Sequence, residues 1–167
     1  MINISKNSLR KTYAIASVIV VVIISLLFWI YQTRQAVEDK KAREQLQAEI
    51  SRQIALYKSG EAKTIDLSKI ESFSWDRLYI FGPDTSLKLI QKRLGYSWRP
   101  SIPALLGADT SFNLLVFTYH GKVVRYVDYP RVLGEFSGAG DEAGNGYEPS
   151  EAMFVINEYG YILWTDR

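Results

Sequence analysis

An uncharged apolar run near the start of the chain limits its fold more than any other feature. Residues 13–31 (YAIASVIVVVIISLLFWIY) contain no charge, glycine or proline. As a helix the run is roughly 28 Å long, close to the ~30 Å hydrocarbon core of a bilayer. Tyr13 lies at one end and Trp29 and Tyr31 at the other, as is typical of the membrane–water interface. The core helix of a soluble protein is the alternative, but such helices rarely supply so long an apolar run. We therefore predict a transmembrane helix over residues 13–31, with the lipid bilayer as its partner.

The residues that flank this run bear on its processing and orientation. Lys6, Arg10 and Lys11 precede it, as in the basic region of a secretory signal. The run ends in bulky residues, whereas signal peptidase requires small ones, so we predict an uncleaved signal anchor. The upstream cations lie closer to the run than most of the downstream ones. The positive-inside rule then predicts a cytoplasmic tail over residues 1–12, a single pass through the plasma (inner) membrane, and a C-terminal part outside the cytoplasm.

Helix-forming residues dominate the segment after the run. Ala, Gln, Glu, Lys and Arg are frequent from residue 32 onward, and the first glycine of the chain is Gly60. This composition predicts a helical stalk over residues 32–59. An apolar stripe follows it at spacings of four, four and three residues: Leu46, Ile50, Ile54 and Tyr57. The stripe is either a short coiled-coil seam for self-association or a face that packs against the protein's own domain. It is shorter than the three or four heptads of a convincing coiled coil.

The composition changes after Gly60, and the rest of the chain reads as one α+β domain. Residues 60–72 are predicted as a linker and residues 73–167 as the domain; all five prolines of the chain lie beyond residue 73. Period-two runs predict five strands, at 77–81, 113–119, 122–129, 152–156 and 161–164, and the segment 87–94 predicts a helix. The order β-α-β-β-β-β indicates a small antiparallel sheet with one helix packed on it.

Charge and residue usage exclude several classes of function. A net charge of +2, from 20 Lys+Arg against 18 Asp+Glu, is too small for a nucleic-acid-binding protein. Residues 64–167 carry 10 cations and 13 anions, or −3, and the preceding part carries +5. The chain has no cysteine and one histidine, His120, which excludes thiolate clusters, a catalytic thiol and a zinc site of several imidazoles. We predict no nucleic-acid partner, no metal and no cofactor.

The sequence assigns no catalytic residue. His120 falls in a tight turn between two predicted strands, and no nucleophile motif accompanies it. Carboxylates for acid–base hydrolysis are present, but no spacing singles out a pair among Asp76, Asp128, Glu135 and Glu151. An enzyme is therefore not expected.

Two tryptophans at the ends of predicted elements are candidates for an interaction surface. Trp75 and Asp76 precede the first strand, and Trp98 and Arg99 follow the helix. At such positions an indole can stack on a ligand while its charged neighbour makes polar contacts. The alternative is that both tryptophans plug the ends of the core, with Asp76 and Arg99 paired locally. Large aromatic residues dominate small cores as well as interfaces, so this alternative is the stronger one.

The order of several short segments in the domain is similar to that of a known group. The segments are Phe73-Ser74-Trp75-Asp76, Tyr79-Ile80-Phe81-Gly82-Pro83, Gly95 with Trp98, Leu115-Val116-Phe117, Pro130-Arg131 and Gly134-Glu135-Phe136-Ser137. Over roughly residues 70–156 the chain resembles small bacterial envelope proteins that carry a signal anchor or lipoprotein signal before one α+β domain. Asp84 follows Pro83, where those proteins have an aromatic residue. The resemblance implies location and fold; the group has no established activity and implies no site.

These features favour one function and leave two alternatives. The favoured one is a single-pass membrane protein that presents a small binding or interaction domain outside the cytoplasm, with an envelope protein, peptide or wall component as its target. The first alternative is a structural or assembly component of a secretion, pilus-like or division complex, in which the anchor and stalk form the interface. An envelope hydrolase is the weakest alternative.

Overall fold

A computed structural model describes residues 6–98, 110–139 and 144–166 of the chain. Helix α1 (Lys6–Lys58) opens the structure, and Gly60 follows it with φ +80°, a conformation that glycine adopts without strain. The chain divides into two compact units, Met1–Lys41 and Ala42–Arg167, and α1 contributes residues to both. Residues 42–59 of the predicted stalk and the whole predicted linker therefore belong to the C-terminal unit.

The N-terminal unit contains the apolar part of α1. Among the described residues, α1 is the one helix long and apolar enough to cross a membrane. None of its most apolar window is buried, and Val22 and Trp29 are 59% and 64% exposed. The core helix of a soluble protein buries such side chains, so this observation speaks against that alternative.

In the part of the chain that the structure describes, the C-terminal unit consists of the end of α1, six strands and one short α-helix. Its strands are β1 (Ile65–Asp66), β2 (Arg77–Phe81), β3 (Phe112–Tyr119), β4 (Lys122–Pro130), β5 (Met153–Ile156) and β6 (Ile162–Trp164). Helix α2 (Leu87–Leu94) lies between β2 and β3, and 3-10 turns occupy Leu67–Lys69 and Phe136–Ala139. The predicted α+β class with a long N-terminal helix is confirmed.

The strands form two sheets where the sequence suggested one. Strands β2, β3 and β4 make an antiparallel sheet in that order, and β1, β5 and β6 make a second one. The second sheet includes β1, which the sequence did not predict: it has only two residues and pairs with β5, with Ile65 opposite Phe154. Because a two-residue strand has no period-two pattern, local sequence cannot reveal it.

Both faces of the β2–β3–β4 sheet are buried. One face carries Leu78, Ile80, Leu115 and Phe117, which join a core made with α1 and the second sheet. The other face carries Phe81, Leu114 and Val116, which pack with Ile90 and Leu94 of α2. Side chains alternate across a strand, so a strand buried on both faces carries consecutive apolar residues, as β3 does over residues 114–117.

Helix α2 begins and ends where the sequence places its signals. The Ser86 side chain accepts a hydrogen bond from the Leu89 amide at the start, and Gly95 adopts φ +80° at the end. Both are standard capping devices.

Candidate functional site

Trp75 is a core residue in this structure. It is 9% exposed, and its indole N–H points to the Ile70 carbonyl at 3.4 Å. Its ring meets Phe117 edge to face, with 5.2 Å between the ring centroids. An indole that is buried with its N–H directed at a carbonyl has little surface left for stacking on a ligand.

Asp76 fixes the turn between β3 and β4. Its carboxylate accepts hydrogen bonds from the Thr118 hydroxyl (3.2 Å) and from the backbone N–H of His120. His120 has φ +51° and Gly121 has φ +71°, the left-handed pair that a tight two-residue hairpin turn requires. Asp76 therefore acts on the shape of the hairpin, and no ion pair of its carboxylate with a cation is found among the described residues.

Trp98 lies against the opposite face of the sheet from Trp75. It is half-buried on the α2 side, edge to face with Tyr126 at 5.2 Å, and its carbonyl accepts a hydrogen bond from the Gln91 side chain (2.9 Å). Arg99 lies outside the described residues. The two tryptophans thus belong to separate clusters and do not form one surface.

A shallow groove of about 580 Å³ opens beside Asp76, at the edge of β2. The Arg77 guanidinium and the Glu148 carboxylate form an ion pair across it (2.8 Å), and both side chains are exposed by more than a third. The groove is lined by Trp75, Asp76, Arg77, Tyr79, Thr118, Gly121, Glu148 and Pro149. Sequence reasoning found Trp75 and Asp76 here but not Arg77 and Glu148, because these two are 71 residues apart and no local pattern links them.

The apolar stripe of α1 is part of the core of the C-terminal unit. Leu46, Ile50 and Ile54 are at most 3% exposed, and Tyr57 packs against the same cluster. The stripe therefore packs against the protein's own domain, and its side chains are not on a surface where a coiled-coil seam would form. Beside the stripe, Ser51 and Tyr129 share a hydrogen bond between their hydroxyls (2.8 Å). Burial raises the pKa of the Tyr129 phenol above its ordinary value of 10.0, and the bond to Ser51 opposes that shift.

Three of the four carboxylates considered for acid–base chemistry, Asp76, Glu135 and Glu151, have structural contacts. Glu135 accepts hydrogen bonds from Arg131 and from the buried Asn113 side chain (3.2 Å). Glu151 accepts the backbone N–H of Glu148 (2.9 Å). In the described parts of the chain, no group of three or more His, Asp or Glu side chains is placed to hold a metal ion.

Comparison with known proteins leaves the chain without a match. No protein-family model, curated protein or solved structure matches it. The resemblance to small bacterial envelope proteins therefore stays a prediction.

Proposed function

We propose that this chain is a single-pass membrane protein that holds its C-terminal α+β unit outside the cytoplasm as a binding or interaction module. One observation carries the proposal: the apolar part of α1 leaves its large side chains exposed, from 36% for Ile30 to 64% for Trp29 among residues 18–31. A continuous apolar surface of this kind is rare on soluble proteins and suits lipid contact.

The C-terminal unit supports a module rather than an assembly stalk. It has its own core on both faces of a sheet, and that core includes the residues of the would-be seam. This placement removes the stripe as an interface for the assembly alternative, which keeps the anchor and the exposed part of the stalk. The hydrolase alternative gains no support, since Asp76, Glu135 and Glu151 each bind a turn or a neighbouring loop.

Membrane anchoring is tested by charge substitution in the apolar run. Arginine at a membrane centre costs about 3 kcal/mol, so the double variant Val21→Arg/Val22→Arg should lose most of its carbonate-resistant membrane fraction. The matched control is Ala36→Arg/Val37→Arg, which adds the same charge to the same helix beyond the apolar run. If both variants stay equally membrane-bound, α1 is not the anchor.

Orientation is tested with reporters fused after Arg167. Alkaline phosphatase folds to an active form only outside the cytoplasm. A green fluorescent protein fused at the same position and exported by the same route fluoresces only when it stays in the cytoplasm. The proposal expects an active phosphatase and a dark fluorescent fusion. The reverse pattern would place the module inside the cell and leave the anchor intact.

A further inference from the structure

We propose that Asn145 is a site of spontaneous deamidation, a covalent modification that converts its carboxamide into a carboxylate in the folded protein. Asn145-Gly146 is the one Asn-Gly pair in the chain. Three features support the assignment: this pair, the exposure of Asn145, and two arginines that lie close to its neighbours in the chain. The site belongs to the C-terminal unit alone, so the assignment goes beyond the proposed function and is independent of the membrane anchor.

The reaction needs water and no other reactant. The backbone nitrogen of Gly146 attacks Cγ of Asn145, a C–N bond forms, and the carboxamide nitrogen leaves as ammonia with the proton that the backbone nitrogen gives up. Water then opens the resulting cyclic imide at either carbonyl, which gives aspartate or isoaspartate. In isoaspartate the main chain runs through the side-chain carboxyl carbon and is one carbon longer. Glycine favours the attack because it has no Cβ to hinder the approach of its nitrogen.

The surroundings of Asn145 differ from those of the other asparagines in the described part of the C-terminal unit. Asn145 is exposed, whereas Asn113 is fully buried. The Asn157 carboxamide oxygen accepts two backbone N–H groups of its own turn (3.0 and 2.9 Å). Asn113 and Asn157 are also followed by residues that carry side chains. Asn145 is therefore the asparagine of this unit that lies at the surface directly before a glycine.

Two guanidinium groups lie close to the residues on either side of Asn145. Arg77 Nη1 donates to the Gly146 carbonyl (3.5 Å). A Cβ built on Gly144 would lie 3.7 Å from Arg93 Nε. During the attack, negative charge develops on the Gly146 nitrogen and on the carboxamide oxygen, and nearby cations stabilise it. The same cations favour the carboxylate that the reaction leaves behind.

The two products differ in their effect on the contact between Tyr147 and β2. Tyr147 and Leu78 each donate a backbone N–H to the other's carbonyl, both at 2.8 Å. A Cβ on Gly146 would lie 3.0 Å from the Leu78 carbonyl oxygen, so the backbone has no spare room here. The aspartate product keeps the length of the main chain and should leave this contact intact. The isoaspartate product adds a carbon directly before Gly146 and should loosen it.

The test ages the full-length protein in detergent micelles at neutral pH and follows it by mass spectrometry of tryptic peptides. No Lys or Arg lies between Arg131 and Arg167, so one peptide carries both Asn145 and Asn157, and Asn157 is an internal control. We expect conversion at Asn145 to be at least about ten-fold faster, because the Asn157 side chain must first leave its two hydrogen bonds. An isoaspartate-specific methyltransferase should label the aged protein and should not label Asn145→Gln.

Charge variants test the contribution of the arginines. Arg77→Gln and Arg93→Gln should each slow conversion roughly two- to five-fold, the effect of one surface charge. Arg125→Gln is the matched control, because the Arg125 side chain contacts Phe73 and the Val124 carbonyl instead, and it should leave the rate unchanged.

Hydrogen exchange tests the effect on the fold. The backbone N–H of Tyr147 should exchange about ten-fold faster in the purified isoaspartate form than in Asn145→Asp, which has the charge of the product but the normal main-chain length.

Each contrary outcome overturns a stated part of the proposal. Equal conversion at Asn145 and Asn157, or conversion at Asn145 only in urea-unfolded protein, overturns the modification of the folded chain. Rates that ignore both Arg77→Gln and Arg93→Gln refute the contribution of the arginines. Equal exchange at Tyr147 in the isoaspartate form and in Asn145→Asp refutes the loosened contact.

Discussion

Truncating Ile50 to alanine should strongly destabilise the C-terminal unit. Ile50 is fully buried in the cluster that α1 shares with both sheets. Removing a buried Ile side chain to Ala costs about 2–5 kcal/mol, through lost transfer free energy and the cavity left behind. That cost is a large part of the 5–15 kcal/mol that stabilises a typical domain.

The assay is urea unfolding of the fragment 42–167, followed by tryptophan fluorescence and near-ultraviolet circular dichroism. Leu56→Ala is the matched control, because Leu56 lies on the same helix, loses a similar volume and is only half-buried. Its midpoint should shift by less than half as much as that of Ile50→Ala. Both variants should keep the same dependence on urea as the parent fragment.

The same reasoning predicts how truncations behave. The side chains of Leu46, Ile50 and Ile54 together account for about 6–15 kcal/mol on this scale, as much as the whole stability of a typical domain. A fragment 42–167 should therefore unfold cooperatively, whereas a fragment 60–167 should not fold. Equal effects of Ile50→Ala and Leu56→Ala, or a folded 60–167 fragment, would refute the packing and return the stripe to a role in self-association.

Three further changes test other contacts of the unit. Asp76→Ala should cost about 1–3 kcal/mol in urea unfolding, because the hairpin turn loses its acceptor, and Asp76→Asn should cost less. Gly134→Ala should cost about 1–3 kcal/mol by overpacking, since a Cβ there would lie 2.8 Å from Ile54 Cδ1; Gly82→Ala, with nothing within 4 Å, is its neutral control. Tyr129 favours its neutral form in the folded state, so its stabilisation is complete below about pH 10 and is lost as the pH rises through its raised pKa. The free energy of unfolding of Tyr129→Phe, measured by urea unfolding across this pH range, should fall less steeply with pH than that of the unsubstituted protein.

Local pattern was enough to predict most elements of the C-terminal unit. The strand 77–81 and the helix 87–94 have the predicted bounds, and the remaining predicted strands differ from β3 to β6 by one residue at most at each end. These segments carry their own signals, either side-chain alternation or caps such as Ser86 and Gly95. The sequence did not reveal which strands pair. Strands β1 and β5 pair although 88 residues lie between Ile65 and its partner Phe154, and no local feature of residues 65 and 66 marks that contact.

Local sequence also could not decide whether Trp75 and Trp98 form a binding surface or belong to the core. A tryptophan beside a charged residue at the end of an element is the pattern of a binding site. It is also the pattern of a buried tryptophan whose charged neighbour accepts hydrogen bonds from a turn. The choice depends on which face of the sheet each ring meets, and that is set by long-range packing: Trp75 meets Phe117, whereas Trp98 meets Tyr126. The position of Asp76 relative to His120 likewise depends on the register of β2 against β3, in which Arg77 lies opposite Thr118.

The stripe on α1 connects these results to function. After the apolar run the chain continues in helix-forming residues, and it has no glycine before Gly60. The spacing of four residues places Leu46, Ile50 and Ile54 on one face of the helix, and that face packs into the core made with the two sheets. The segment after the apolar run therefore has two properties at once: it is helical, and its residues 46, 50 and 54 complete the core of the C-terminal unit.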